Sequence, residues 1–192
     1  MVFILIAIIV VSVGIDALSK YLITANIALG DSVTVIPHLL DFTYIRNEGA
    51  ALGMLADKRF VFLILSSVAI IGLTIGLFVY RKKLGRIYSV CFALIIGGGI
   101  GNMVDRLFGA GVNAQISAIE NIFSGNAFEN FLRGAVVDFV DPSFYRWTFN
   151  FADACVNVGV WIFAAVFIYR EIKAIIAEKK AKEASEAKDE SK

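Results

Sequence analysis

The sequence has few of the residue types that build metal sites, and almost no excess of charge. A single histidine, His38, cannot form a histidine-rich metal site, and the HExxH motif of zinc proteases is absent. Cys91 and Cys155 both lie in apolar stretches, where an isolated thiol usually behaves as a small hydrophobic side chain. A formal net charge of +1 gives no reason to expect a nucleic-acid partner. We therefore expect no metal, no cofactor and no nucleic acid.

Apolar residues, in contrast, are abundant and segregated. They make up 58% of the 192 residues, whereas a soluble domain has about 45–50%, and the mean hydropathy is +0.76. Crossing a bilayer takes about 20 apolar residues. Stretches long enough for this lie at about 1–23, 60–80, 87–104 and 150–169. The sequence therefore predicts a mainly α-helical integral membrane protein with four transmembrane helices.

The placement of lysine and arginine predicts the orientation. The connection 81–86 carries four positive charges and no negative one, so it should be cytoplasmic. The connections 24–59 and 105–149 mix both signs and should lie outside. Both termini are then cytoplasmic, including the charged tail at 171–192, which we interpret as a solvated helix or a disordered extension.

The outer segment also contains β-prone runs. Residues 32–36 and 42–45 are rich in valine, threonine, isoleucine and aromatic side chains, and Pro37 and Asp41 interrupt them. We expect a small β-structure over about 30–58, lying at the outer membrane surface.

Charged and polar residues in or beside the apolar stretches suggest functional hypotheses, because they are costly there. Asp16 and Lys20 are spaced i,i+4 in the first stretch, so they can pair on one helix face. The pair could be a structural anchor, or it could position an active-site loop. Asn102, Asp105 and Arg106 lie where the third helix should meet the outer interface. The glycines at 97–101 just before them favour close helix packing over phosphate binding, because no strand precedes them.

Two aspartates in apolar surroundings carry the most information. Asp138 interrupts a β-prone run, and Asp153 opens the fourth stretch, at the same predicted depth. Two carboxylates held close together cannot both ionise, so such a pair can share one proton and activate water. From spacing alone, helix capping or cation binding in a transporter remain alternatives.

The order of these elements resembles the lipoprotein signal peptidase (signal peptidase II) family over about residues 10–165. Five boxes carry the resemblance: Asp16-x-x-Ser19-Lys20, Asn47-x-Gly49-Ala50-Ala51-x-Gly53, Gly98-x-x-Gly101-Asn102-x-x-Asp105-Arg106, Val136-Val137-Asp138-Phe139 and Phe149-Asn150-x-Ala152-Asp153. Together they occur in the family's order around four predicted spans.

The resemblance implies a four-helix membrane bundle with a small extracytoplasmic β-cradle, and a catalytic pair formed by Asp138 and Asp153. It implies a location in the bacterial cytoplasmic (inner) membrane, with the active site near the outer leaflet. We expect a monomer. The implied substrate is a prolipoprotein whose cysteine carries diacylglycerol, cleaved just before that cysteine, beside membrane lipid. Residues that would bind substrate or order the site are Asn47, Gly49, Asn102, Asp105, Arg106, Asn150, Asp16 and Lys20.

One segment departs from the family pattern. Residues 107–137 form a longer connection than the resemblance leads us to expect, and such connections are often lids. Ile116, Ile119, Ile122 and Phe123 are spaced as in an amphipathic helix on the membrane surface. A flap over the active site and a decoration without catalytic role are both open.

Two non-enzymatic classes are the alternatives. A transporter or channel could use buried aspartate, arginine and asparagine as an ion path, but the span 60–80 has no charged residue between Phe60 and Tyr80. A scaffold protein would not need two carboxylates, and it should tolerate Asp→Asn changes at both positions.

Overall fold

The computed structural model describes residues 1–47, 59–109, 115–124 and 134–189. The elements are α1 (Val2–Asn26), β1 (Ser32–Ile36), β2 (Leu40–Asn47), α2 (Arg59–Phe108), α3 (Ala118–Phe123), β3 (Val136–Pro142) and α4 (Phe151–Asp189). The chain is thus mainly helical, with one small antiparallel sheet, as the sequence predicts.

In the described part of the chain, three helices are long and apolar enough to cross a membrane. The second of them, α2, is interrupted by a sharp kink. These helices contain the candidate spans Val2–Asn26, Leu63–Phe108 and Phe151–Lys180. Within α2, Gly85 has φ 77° and ψ 173°, a conformation that costs little only for glycine. Ser67, before Gly85, has its Oγ 3.9 Å from Sδ of Met103, which lies after Gly85. The two arms of α2, 59–84 and 86–108, therefore pack side by side in antiparallel directions. Four apolar helical segments result.

The second arm of α2 packs closely against α1 and α4. An added Cβ would lie 2.8 Å from Ser12 Cβ at Gly97 and 2.3 Å from Ala152 O at Gly98. Both distances are shorter than real Cβ contacts, so glycine is required for this approach. The glycines therefore serve packing, as expected. Large apolar side chains such as Phe3 and Trp161 point outward, 87% and 72% exposed, as suits surfaces that face lipid.

A three-stranded sheet in the order β1-β2-β3 covers one end of the bundle. Its inner face places Tyr44, Val137 and Phe139 against Ile23 and Ile27, at the end of α1. Burial of these side chains fixes the sheet at the helix ends that carry Lys20 and Asn102. Strands β1 and β2 lie within the predicted β-structure, 30–58, whose last part, 48–58, lies outside the described residues.

Within the lengthened segment 107–137, the described part is held on the ends of α1 and α2. Ser117 and Glu120 form a capping box at the start of α3, and Glu120 Oε2 accepts a hydrogen bond from Thr24 Oγ1 at 3.4 Å. Asn121 Nδ2 donates to Phe108 O at 2.6 Å. The outward side chain of Phe123 is 86% exposed. The helix is shorter than the one predicted from Ile116 to Phe123: it begins at Ala118, buries Ala118 and Asn121, and exposes Ile122 and Phe123.

Candidate active site

Asp138 and Asp153 lie on two elements that meet at the sheet end of the bundle. Asp138 is in β3 and only 2% exposed. Asp153 is in the first turn of α4 and half-buried. Asn150 caps this helix: Asp153 N donates to Asn150 Oδ1 at 2.9 Å, and Asn150 N donates to Asp153 Oδ2 at 3.3 Å. A carboxylate is favourable at a helix N-terminus, so the cap fixes Asp153.

Two asparagine side chains connect the two carboxylates. Asn150 Nδ2 donates to Asp138 Oδ1 at 2.6 Å and to Asn102 Oδ1 at 3.0 Å. Asn102 Nδ2 then donates to Asp153 Oδ1 at 2.8 Å. Asn47 Nδ2, from the end of β2, donates to Asp138 Oδ2 at 3.0 Å. Both oxygens of Asp138 therefore accept hydrogen bonds from asparagine side chains. Asp153 accepts one from an asparagine side chain and one from a backbone N–H.

The environment of Asp138 favours retention of a proton. Burial raises its pKa from 3.8 to about 6, and the negative charge of Asp153 acts in the same direction. The hydrogen bonds from Asn47 and Asn150, and the positive charge of Lys20, oppose the rise. Burial is the largest of these effects, so the pKa of Asp138 stays above its ordinary value.

A buried ammonium group lies behind this pair. Lys20 Nζ contacts Asp16 Oδ2 at 2.7 Å and Asp105 Oδ2 at 2.8 Å, and donates to Asn102 Oδ1 at 3.2 Å. The i,i+4 ion pair expected from the sequence is present, and Asp105 extends it to a third charge. Because Lys20 can only donate, it also orients the Asn102 amide so that Nδ2 faces Asp153.

Two site residues predicted from the sequence remain, Arg106 and Gly49. Arg106 lies one turn after Asn102 and donates from Nη1 to its carbonyl oxygen at 3.4 Å. Gly49 lies outside the described residues. The structure therefore brings together eight of the predicted side chains, namely the two aspartates and six that lie beside or directly behind them: Asp138, Asp153, Asn47, Asn102, Asn150, Asp105, Lys20 and Asp16.

Arg46 is not among the site residues predicted from the sequence, although it connects β2 to the lengthened segment. Its guanidinium donates to Ile116 O and, at 3.4 Å, to Ala135 O, and its Nε donates to Tyr44 OH at 2.9 Å. Arg46, the residue before Asn47, thus contacts the lengthened segment both within it, at Ile116, and near its end, at Ala135. A charged residue in a β-prone run is the signal that could have identified it.

The arrangement of the two carboxylates suits proton transfer to and from water. In the described ranges, no three His, Cys, Asp or Glu side chains converge so as to hold a metal ion. The two carboxylates lie at one end of the bundle, Asp138 buried and Asp153 half-buried. Such a pair can act as general base and general acid in turn.

Comparisons with known proteins point to one family. The family model described as signal peptidase (SPase) II matches residues 8–169. The chain is 32% identical to a lipoprotein signal peptidase of Halalkalibacterium halodurans over 162 residues, 83% of this chain and 88% of that one. It is 31% identical to one of Staphylococcus aureus, with 76% of each chain covered. A solved structure described as a bacterial membrane enzyme superposes with a TM-score of 0.67 at 28% identity, over 88% of this chain and 90% of the other.

Proposed function

Since the chain belongs to the signal peptidase II family, we propose that it is an aspartic endopeptidase that removes the signal peptide from prolipoproteins. One observation carries the aspartic assignment: Asp138 and Asp153 are joined by a continuous path of hydrogen bonds through Asn150 and Asn102.

In the proposed reaction, the aspartate pair holds one proton. The ionised partner accepts a proton from a water molecule, and the oxygen of that water attacks the scissile carbonyl carbon. The protonated partner donates its proton to the developing oxyanion, and the partner that took a proton from water then donates that proton to the leaving amine. As the C–N bond breaks, the hydroxyl formed from the oxyanion returns its proton to the first partner, so the pair again holds one proton. The raised pKa of Asp138, about 6, supports this assignment, because a group that titrates near the working pH can serve in both roles.

The proposed cut lies just before a cysteine that carries diacylglycerol, near the outer leaflet. The aspartates and Gly85 lie at opposite ends of the bundle. Gly85 belongs to the basic connection 81–86. If that cluster is cytoplasmic, the aspartates are at the outer surface, where a lipid-attached cysteine would also be. Both termini are then cytoplasmic, and the location in a bacterial cell is the cytoplasmic (inner) membrane.

The orientation can be tested by labelling in intact cells. A cysteine introduced at Lys83 should react with a membrane-impermeant maleimide only after the inner face is opened, whereas one at Phe144 should react without opening. Phe144 is suitable because its side chain is 79% exposed, and the two native cysteines, Cys91 and Cys155, are buried. The reverse pattern would contradict the proposed topology.

Cleavage is tested with purified protein and a diacylglyceryl-modified prolipoprotein in detergent. The proposal expects one cut, before the lipidated cysteine, located by the masses of the two products. The matched control is the same prolipoprotein without the lipid, which should be cut far more slowly. Equal cleavage of both substrates would refute the lipid requirement, and no cleavage by folded protein would refute the function.

A further inference from the structure

Lys20 has every N–H group of its ammonium engaged inside the protein. An ammonium group has three donors, and three oxygens are in reach: Asp16 Oδ2 at 2.7 Å, Asp105 Oδ2 at 2.8 Å and Asn102 Oδ1 at 3.2 Å. The residue is 1% exposed. We call Lys20 with these three partners the Lys20 cluster. It joins α1 to the second arm of α2.

Two members of the cluster reach the start of α4. Asp16 uses its other oxygen, Oδ1, to accept a hydrogen bond from Ala152 N at 2.9 Å. Ala152 is the residue before Asp153. Asn102 donates from Nδ2 to Asp153 Oδ1 at 2.8 Å. The cluster therefore holds both the backbone before Asp153 and the carboxylate itself.

The third member reaches β3 in the same manner. Asp105 Oδ2 accepts a hydrogen bond from Val137 N at 3.2 Å, and Val137 is the residue before Asp138. Val137 is 0% exposed, so its N–H has no access to water and depends on such a partner. The same carboxylate oxygen that contacts the ammonium thus also fixes the strand that carries Asp138.

We propose that Lys20 is a positioning residue that sets the separation and mutual orientation of Asp138 and Asp153. Neither aspartate touches Lys20; the effect passes through the backbone N–H groups of the two preceding residues and through Asn102. The proposal rests on the proposed function, because it assumes that these two aspartates form the catalytic pair. In this proposal, a residue of α1 determines the distance between β3 and α4.

The physical reason is that the ammonium holds together two carboxylates that would otherwise repel. Without Lys20, Asp16 and Asp105 lose their shared counter-charge in a buried site. The two carboxylates would then move apart, and each of them holds one of the two backbone N–H groups. A displacement of about 1 Å in a catalytic group can cost about a hundredfold in rate. Substrate contacts elsewhere are not affected, so the loss should fall on kcat.

The test compares three variants by cleavage of the lipidated substrate. In Lys20→Met, we expect kcat to fall about a hundredfold, with KM within about threefold of wild type. In Lys20→Arg, which keeps a donor-only cation, we expect most of that loss to be recovered. If Lys20→Met does not fold, the double variant Lys20→Met/Asp105→Asn replaces it. This double variant keeps the net charge of the three ionised side chains at −1, from two carboxylates and one ammonium.

Two controls separate the possible failures. Leu77→Ala opens a cavity at a residue 1% exposed in the other half of the bundle, so it should lower the melting temperature without changing kcat. Asp153→Asn tests the proposed function in the same assay. If a folded Lys20→Met or double variant keeps kcat within about threefold of wild type while Asp153→Asn is inactive, the positioning role is wrong and the function stands. If Asp153→Asn is active, the proposed function itself fails.

Discussion

Asp138 ionises inside the fold at a cost in free energy, and the Asp138→Asn variant should measure that cost. The unfolded chain releases this proton near pH 3.8, whereas the folded protein holds it to about pH 6. The raised value therefore contributes stability that is fully present below about pH 3.8 and is lost as the pH rises through about 6. A shift from 3.8 to about 6 corresponds to about 3 kcal/mol, at about 1.4 kcal/mol for each pKa unit.

Asparagine at position 138 cannot ionise, so the variant does not lose folding stability as the pH rises through about 6. It keeps the acceptor for Asn150, but its own NH2 group would face Asn47, whose half-buried amide must turn. We subtract about 1 kcal/mol for this adjustment. The net expectation is a gain of about 2 kcal/mol above pH 6, or about 4–8 °C in melting temperature for a chain of this size.

The assay is thermal unfolding in detergent, followed by circular dichroism at pH 5 and pH 8. Asp138→Asn should melt higher than wild type at pH 8, and the difference should shrink at pH 5. Asp141→Asn is the matched control, since Asp141 is on the same strand and accepts a hydrogen bond from Thr43. If Asp138→Asn gains nothing at pH 8 relative to pH 5, Asp138 does not ionise at a cost, and the reasoning is refuted.

Two further predictions concern packing and the lengthened segment. An added Cβ at Gly101 would lie 2.6 Å from Asp16 Oδ2, so Gly101→Ala should destabilise the protein by about 1–3 kcal/mol and lower activity. Gly76→Ala, with nothing within 4 Å of its added Cβ, should do neither, and equal melting temperatures would contradict this packing. If the segment is a flap, deleting 110–132 should change cleavage rate or substrate range in a panel of prolipoproteins, and unchanged values would mean that it is not.

The general fold could be predicted from the sequence, and so could the meeting of Asp138 and Asp153 at one end of the bundle. Long apolar runs identify membrane helices because the bilayer sets their length, and β-prone residues marked β1 and β2. Asp138 and Asp153 stood out because a charge in apolar surroundings is costly. These signals are local, so they can be read along the chain.

The contacts that connect the site could not be predicted in the same way. The hydrogen bond from Ala152 N to Asp16 joins residues 136 positions apart, and its existence depends on how closely α1 and α4 approach. Arg46 likewise bonds carbonyl groups at Ile116 and Ala135, whose positions follow from the lengthened segment. Side-chain contacts with backbone groups leave no periodic pattern, since any residue can supply the carbonyl or N–H.

The central claim is that Asp138 and Asp153 perform the cleavage together, and the most direct measurement is the rate of each Asp→Asn variant. Wild type, Asp138→Asn, Asp153→Asn and the control Asp141→Asn should be compared on the same lipidated prolipoprotein. Removing an essential catalytic group typically costs about a thousandfold or more. We predict that loss in each of the first two variants, a similar loss in the double variant, and wild-type rates for Asp141→Asn. Cleavage that survives in either Asp138→Asn or Asp153→Asn would contradict the account.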